Sequence, residues 1–233
     1  MRIFPLTAPV FAATCYVVAA DDGSCVVVDP GGGVAGAVSR TVAEHGLRVA
    51  GVLATHGHAD HVWDAGRVAA AAGVPLRLHA RDAYRLDDPV GTLGEGAAGV
   101  ADGLLAALSA AGADTAWARP GTEPFGDGDG ARTADEELVL GGVRLVARHA
   151  PGHTEGSTLY LLEAAGERVA FTGDVLFAGT VGRTDLPGGD AAAMALTLRE
   201  VVAALPPRTH VLPGHGPASR VDVELAHNPY LAG

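Results

Sequence analysis

The chain has 233 residues, of which 48% are hydrophobic, 18% charged and 5% aromatic, with 33 glycines and 14 prolines. A chain of that length buries roughly 70% of the surface it exposes when unfolded, and its composition excludes disorder, collagen and small disulfide scaffolds. The net charge of −11 repels phosphate backbones and anionic lipid heads, and every basic residue is an arginine, which excludes Schiff-base chemistry and a P-loop lysine.

In chain order, Arg2 precedes an uncharged stretch from Ile3 to Ala20 that loosely resembles a secretion signal. Pro5, Thr7, Pro9, Thr14 and Cys15 interrupt it, and it reads equally well as two short strands. Runs rich in β-branched residues at Thr14 to Ala19, Ser24 to Val28, Ala50 to Ala54 and Pro75 to Leu78 predict strands. Between them, Val34 to His45 and Val62 to Ala72 have helical spacing, with Gly46 and Gly73 placed to end them. From Tyr84 to Thr133 the pattern loosens around glycines and the acidic run Gly126 to Gly130, with one helix expected at Val100 to Ala111. This stretch reads as an insertion, either a surface loop or a wall over a substrate site. Four strands then follow with no helix between them, at Glu137 to Leu140, Val143 to His149, Thr158 to Leu162 and Arg168 to Thr172. A helix from Asp190 to Ala204, a strand from Thr209 to Leu212 and a helix from Arg220 to Ala226 close the chain. Two βαβ-like halves around two facing sheets fit this order, in one domain spanning residues 1–233. Cys15 and Cys25 are too few for a disulfide framework, no second apolar run could span a membrane, and a reduced cytoplasmic protein is the simplest expectation.

The most informative residues follow the strand Ala50 to Ala54: Thr55-His56-Gly57-His58-Ala59-Asp60-His61. His-x-His-x-Asp-His would arise by chance about 0.001 times in a chain of this composition. A loop at a strand end can send alternate side chains one way, so that His56 and His58 serve one metal ion and Asp60 and His61 another. Imidazole and carboxylate suit zinc, and also iron or manganese. Three further loops place a candidate ligand beside a glycine: Gly152-His153, Gly173-Asp174 and Gly214-His215.

With these motifs the chain resembles the metallo-β-lactamase-fold hydrolases, and among them the glyoxalase II-like, hydroxyacylglutathione-hydrolase-related group. The similar stretches run from Cys15-Tyr16-Val17-Val18 through Val28-Asp29-Pro30-Gly31 and Gly182-Arg183-Thr184-Asp185 to Asn228-Pro229-Tyr230. The resemblance implies a four-layer αββα sandwich with metals at one edge. Residue by residue, it implies that His56, His58 and His153 hold one ion, that Asp60, His61 and His215 hold the second, and that Asp174 bridges them. Asp29 is expected to support the ligand loop, and Arg183 is either a substrate contact or a lock on Asp185. His45, His79, His149, His210 and His227 match no ligand position, and Tyr160, Trp63 and Trp117 read as packing residues.

Two divalent ions, zinc before iron or manganese, would lower the pKa of a shared water to about 7 and supply hydroxide near neutrality. The implied reaction is hydrolysis of a small acyl thioester, whose thiolate, with a pKa near 8.5, leaves without strong acid assistance. Asp60 could still handle protons. Only 18 residues follow His215 and no lysine is available for a glutathione carboxylate, so the sequence departs from glyoxalase II in how it would hold the thiol carrier. A persulfide dioxygenase with one iron, a lactamase-like hydrolase and a silent binding module are the competing readings. Nucleic-acid and membrane partners are not expected, and oligomeric state is not legible.

Overall fold

The structure, a computed structural model, describes residues 1–94, 97–126 and 134–231; Gly96 and residues 127–130 of the acidic-glycine run lie outside the described residues. Two mixed sheets face each other. The first has five strands in the order β1 (Arg2–Thr7), β2 (Thr14–Ala19), β3 (Ser24–Val28), β4 (Arg48–Leu53), β5 (Leu76–Arg77). The second contains β6 (Glu136–Leu140), β7 (Val143–His149), β8 (Thr158–Ala164), β9 (Glu167–Gly173), β10 (His210–Pro213) and β11 (Ser219–Arg220), arranged from β11 to β6. Pairing is parallel at β3/β4, β4/β5 and β9/β10 and antiparallel elsewhere. The expected sandwich is present.

Strand alternation explains the layering. On β2, Cys15, Val17 and Ala19 face the helices α1 (Ala35–Glu44) and α3 (Ala65–Ala72), whereas Tyr16 and Val18 face the second sheet. Cys25 and Val27 of β3 divide from Val26 and Val28 in the same way. The stretch Ile3 to Ala20 forms the β1–β2 hairpin, and its apolar run comes mainly from β2, which is buried on both faces, whereas β1 stays partly exposed. Both cysteines are free and buried. Outside the second sheet, Leu159, Ala170 and Val211 pack against Met194, Leu198 and Val201 from α5 (Ala191–Thr197) and the π-helical turn Leu198–Val202, and against Val221 of α6 (Val221–His227). Among the described residues no helix is long and apolar enough to cross a membrane.

Two expected helices differ. Val62 to Ala72 is divided into α2 (Ala59–Val62) and α3, because the Asp64 N–H donates to the Pro30 carbonyl (3.0 Å) instead of continuing the helix. The Asp64 carboxylate accepts from the Ala35 N–H (2.8 Å) and so starts α1 from outside. Asp190 to Ala204 begins where expected, with the Asp190 side chain accepting from Ala192 and Ala193, but its second half widens into the π turn.

The described part of the stretch from Tyr84 to Thr133 is anchored to the two sheets and their helices. A 3-10 helix, Ala80–Leu86, follows β5, and α4 (Ala97–Ala110) buries Leu104 and Leu108 against Val10, Ala59 and Trp63. Trp117 packs on Trp63 (5.5 Å between rings) and donates to the Leu86 carbonyl (3.1 Å). Residues 122 and 125 bridge to Leu76 and His79 beside β5. Replacing 84–126 with a short linker is therefore expected to lower Tm and expose Trp63; an unchanged unfolding transition would show the segment to be ornament.

Candidate metal centre

The C-terminal ends of β3, β4, β7, β9 and β10 meet at one edge of the sandwich. His56 and His58 occupy the turn after β4, Asp60 and His61 lie in α2, His153 lies between β7 and β8, Asp174 follows β9, and His215 follows β10. Donor atoms of His56, His58 and His153 lie within 4.8 Å of one another; so do those of His56, His61 and Asp174, and of Asp60, His61 and His215. His61 Nε2 stands 3.4 Å from His215 Nε2 and 3.3 Å from Asp174 Oδ1. Two ligands of one tetrahedral zinc are about 3.3 Å apart, as its bond lengths require. His58 Nδ1 and His153 Nε2 are closer, at 2.9 Å.

Hydrogen bonds behind the cluster aim the imidazoles. His61 Nδ1 meets Asp29 Oδ2 at 3.1 Å, which leaves Nε2 facing Asp60, Asp174 and His215. The other Asp29 contacts are the Thr55 N–H (2.7 Å) and hydroxyl (2.8 Å), so this carboxylate holds the start of the ligand loop. It occupies a left-handed backbone position (φ 53°), one that aspartate tolerates better than most residues. His153 Nδ1 donates to the Arg183 carbonyl at 2.7 Å, turning Nε2 toward Asp174. The Arg183 side chain is bound to Asp185 at 2.7 and 2.8 Å.

The cluster fits metal ions. His56 Nε2 and Asp174 Oδ1 are buried without a hydrogen-bond partner among the described residues, a costly arrangement unless something else engages them. Space is kept open as well: a Cβ at Gly214 would stand 2.4 Å from Asp174 Oδ1 and 2.6 Å from His61 Cε1.

Protonation divides the cluster. Burial, reinforced by neighbouring histidines, holds His56 well below the ordinary imidazole range and takes His58 down to about 3, so both are neutral at pH 7. Burial opposes the charge on His61 too, but Asp174, Asp60 and Asp29 outweigh it and raise its pKa; the hydrogen bond to Asp60 raises that of His215. A metal needs the neutral ring. An ion that engages His56 and His58 is thus expected to displace no proton from either ring at pH 7, whereas one that engages His61 and His215 competes with the protons their raised pKa values favour, and binds more tightly as pH rises. Calorimetry in buffers of different ionisation enthalpy reads this; equal release at both steps would contradict it.

A fully buried carboxylate, Asp82, escaped sequence reasoning. Its Oδ2 accepts from the Gly57 N–H and the Thr154 hydroxyl, both at 2.8 Å, and its Oδ1 from the Gly156 N–H at 2.9 Å. It therefore ties the His56–His58 turn to the His153 loop. Arg85, also fully buried, contacts Asp82 Oδ1 (3.4 Å) and Glu155 Oε2 (2.5 Å). No local signal marked it: Asp82 lies inside the 3-10 helix Ala80–Leu86, five residues past the end of β5, whereas Asp29 directly follows β3. Of the other histidines, His79 and His149 are buried and stacked at 4.0 Å, His45 stacks on Phe4, and His210 pairs with Glu167.

The model of the metallo-beta-lactamase superfamily matches residues 8–215. The chain belongs to that superfamily. Probable metallo-hydrolase YqgX of Bacillus subtilis is 33% identical over 95% of this chain and 93% of its own. Hydroxyacylglutathione hydrolase GloC of Haemophilus influenzae is 29% identical over 99% and 97%. Among solved structures of the superfamily, BLEG-1 B3 metallo-beta-lactamase superposes with a TM-score of 0.81, at 29% identity and full coverage of both chains.

Proposed function

We propose that the protein hydrolyses small acyl thioesters with two divalent ions, one held by His56, His58 and His153, the other by Asp60, His61 and His215, with Asp174 reaching both. The carrying observation is the position of the Asp174 carboxylate. Oδ1 faces His61 Nε2 at 3.3 Å, and Oδ2 lies 3.6 Å from both His153 Nε2 and His215 Nε2. Zinc suits this donor set, and iron or manganese also fit it.

When bound, such ions lower the pKa of water to about 7 and polarise a carbonyl. Asp29 and the Arg183 carbonyl keep His61 and His153 in fixed tautomers, and Asp82 keeps the two ligand loops at one spacing. The oxygen of water joins the acyl carbon, the C–S bond breaks, and the thiolate takes a proton. Asp60 Oδ2, 3.2 Å from His215 Nε2 at the cavity wall, is placed to handle that proton. The reading is supported by the whole-length similarity to GloC. Lactam hydrolysis is the second reading, favoured by the likeness to BLEG-1.

The deciding experiment gives one metal-loaded sample S-lactoylglutathione, simpler thioesters, β-lactams and a persulfide, and follows oxygen as well. Thioester hydrolysis without oxygen uptake is expected. Oxygen uptake with the persulfide and inert thioesters would establish a dioxygenase instead.

A further inference from the structure

The cavity over the metal-binding side chains has a volume of about 490 Å³. Beyond His58, Asp60, His153, Asp174 and His215, its larger described lining residues are Phe11, Leu93, Val100, Phe177 and Leu186, with one cation, Arg183. Phe11 is 49% exposed and Val100 39%, a concentration of uncovered apolar surface beside the reacting edge. Phe11 and Ala12 both hold left-handed backbone (φ 55°), conformations that persist only where surroundings impose them, and the turn brings the Phe11 ring to the cavity wall.

The cation offers little to an anionic carrier. The guanidinium of Arg183 is engaged through Nε and Nη2 by both carboxylate oxygens of Asp185, the fork geometry that a substrate carboxylate would otherwise use. The chain as a whole carries −11. A glutathione thioester brings two carboxylates and one ammonium, and the described lining offers no arginine other than Arg183 to pair with the carboxylates.

Resting on the thioester reading, the geometry points to an uncharged substrate: a thioester of an apolar acyl group on a neutral thiol, the acyl chain packed between Phe11, Leu93 and Val100. Each added methylene buried there raises kcat/KM by about fourfold.

The test uses the metal-loaded protein and N-acetylcysteamine thioesters from acetyl to hexanoyl, with the lactoyl ester and S-lactoylglutathione alongside. Binding of S-alkyl N-acetylcysteamine thioethers of increasing length is measured by calorimetry. Rising kcat/KM and tighter thioether binding with chain length are expected, with both slopes flattened in Phe11→Ala and Leu93→Ala. Asp185→Asn frees Arg183 and is expected to raise kcat/KM for S-lactoylglutathione relative to the uncharged lactoyl ester by about three- to fivefold. Turnover with no chain-length dependence, or with preference for the glutathione conjugate in the unaltered protein, overturns this inference and leaves the proposed function standing. Inert thioesters with chain-length-dependent thioether binding overturn the proposed function while keeping the apolar site. Inert thioesters with no such binding overturn both.

Discussion

Replacing Asp174 with alanine is expected to lower thioester hydrolysis by at least about 10²–10³-fold, the scale on which removal of one precisely placed charge-stabilising group is felt. The carboxylate stands within 3.6 Å of three imidazole nitrogens, so its loss disturbs both donor groups together. Bound metal should fall below two per chain. His227→Ala is the matched control: its side chain is exposed at the end of α6, outside the donor groups, and the rate should hold within about twofold. Full activity in Asp174→Ala would remove the shared carboxylate from the account.

Asp82→Ala is expected to act on stability first. It leaves the Gly57 and Gly156 N–H groups, the Thr154 hydroxyl and the Arg85 guanidinium without their common acceptor, all in a buried region. Breaking a buried pair alone costs about 3–5 kcal/mol, which in a domain of this size lowers Tm by about 6–20 °C. Asp82→Asn keeps the shape and separates folding from positioning. It should fold, yet bind metal about 10–100-fold more weakly, because the two ligand loops lose their shared anchor. Unchanged metal affinity in a folded Asp82→Asn would reduce Asp82 to a structural residue.

The contrast between these carboxylates shows where the sequence was readable. His56, His58, Asp60 and His61 fall within six residues, so local spacing alone revealed them, and His153, Asp174 and His215 became a set because each follows a glycine near a strand end. The strands were equally plain where both faces are buried, since β2 and β3 carry almost no polar residue. Asp82 lies 25 residues beyond Gly57 and 72 before Thr154, and no periodicity links positions that meet only in the folded chain. The break at Asp64 was hidden for a similar reason. It depends on the Pro30 carbonyl and the Ala35 amide, whereas the alanine-rich sequence around it favours an unbroken helix. The stretch from Tyr84 to Thr133 departs from the strand and helix pattern in the sequence, but the attachment of its described part through Trp63, Trp117 and Leu104 needed the packing.

The central claim is that two ions act together on a thioester. Its most direct measurement is turnover of one thioester as zinc is titrated into metal-stripped protein, with bound metal counted at every point. The account predicts activity that climbs to a plateau at two ions per chain. A plateau reached at one ion and unaltered by the second would contradict it.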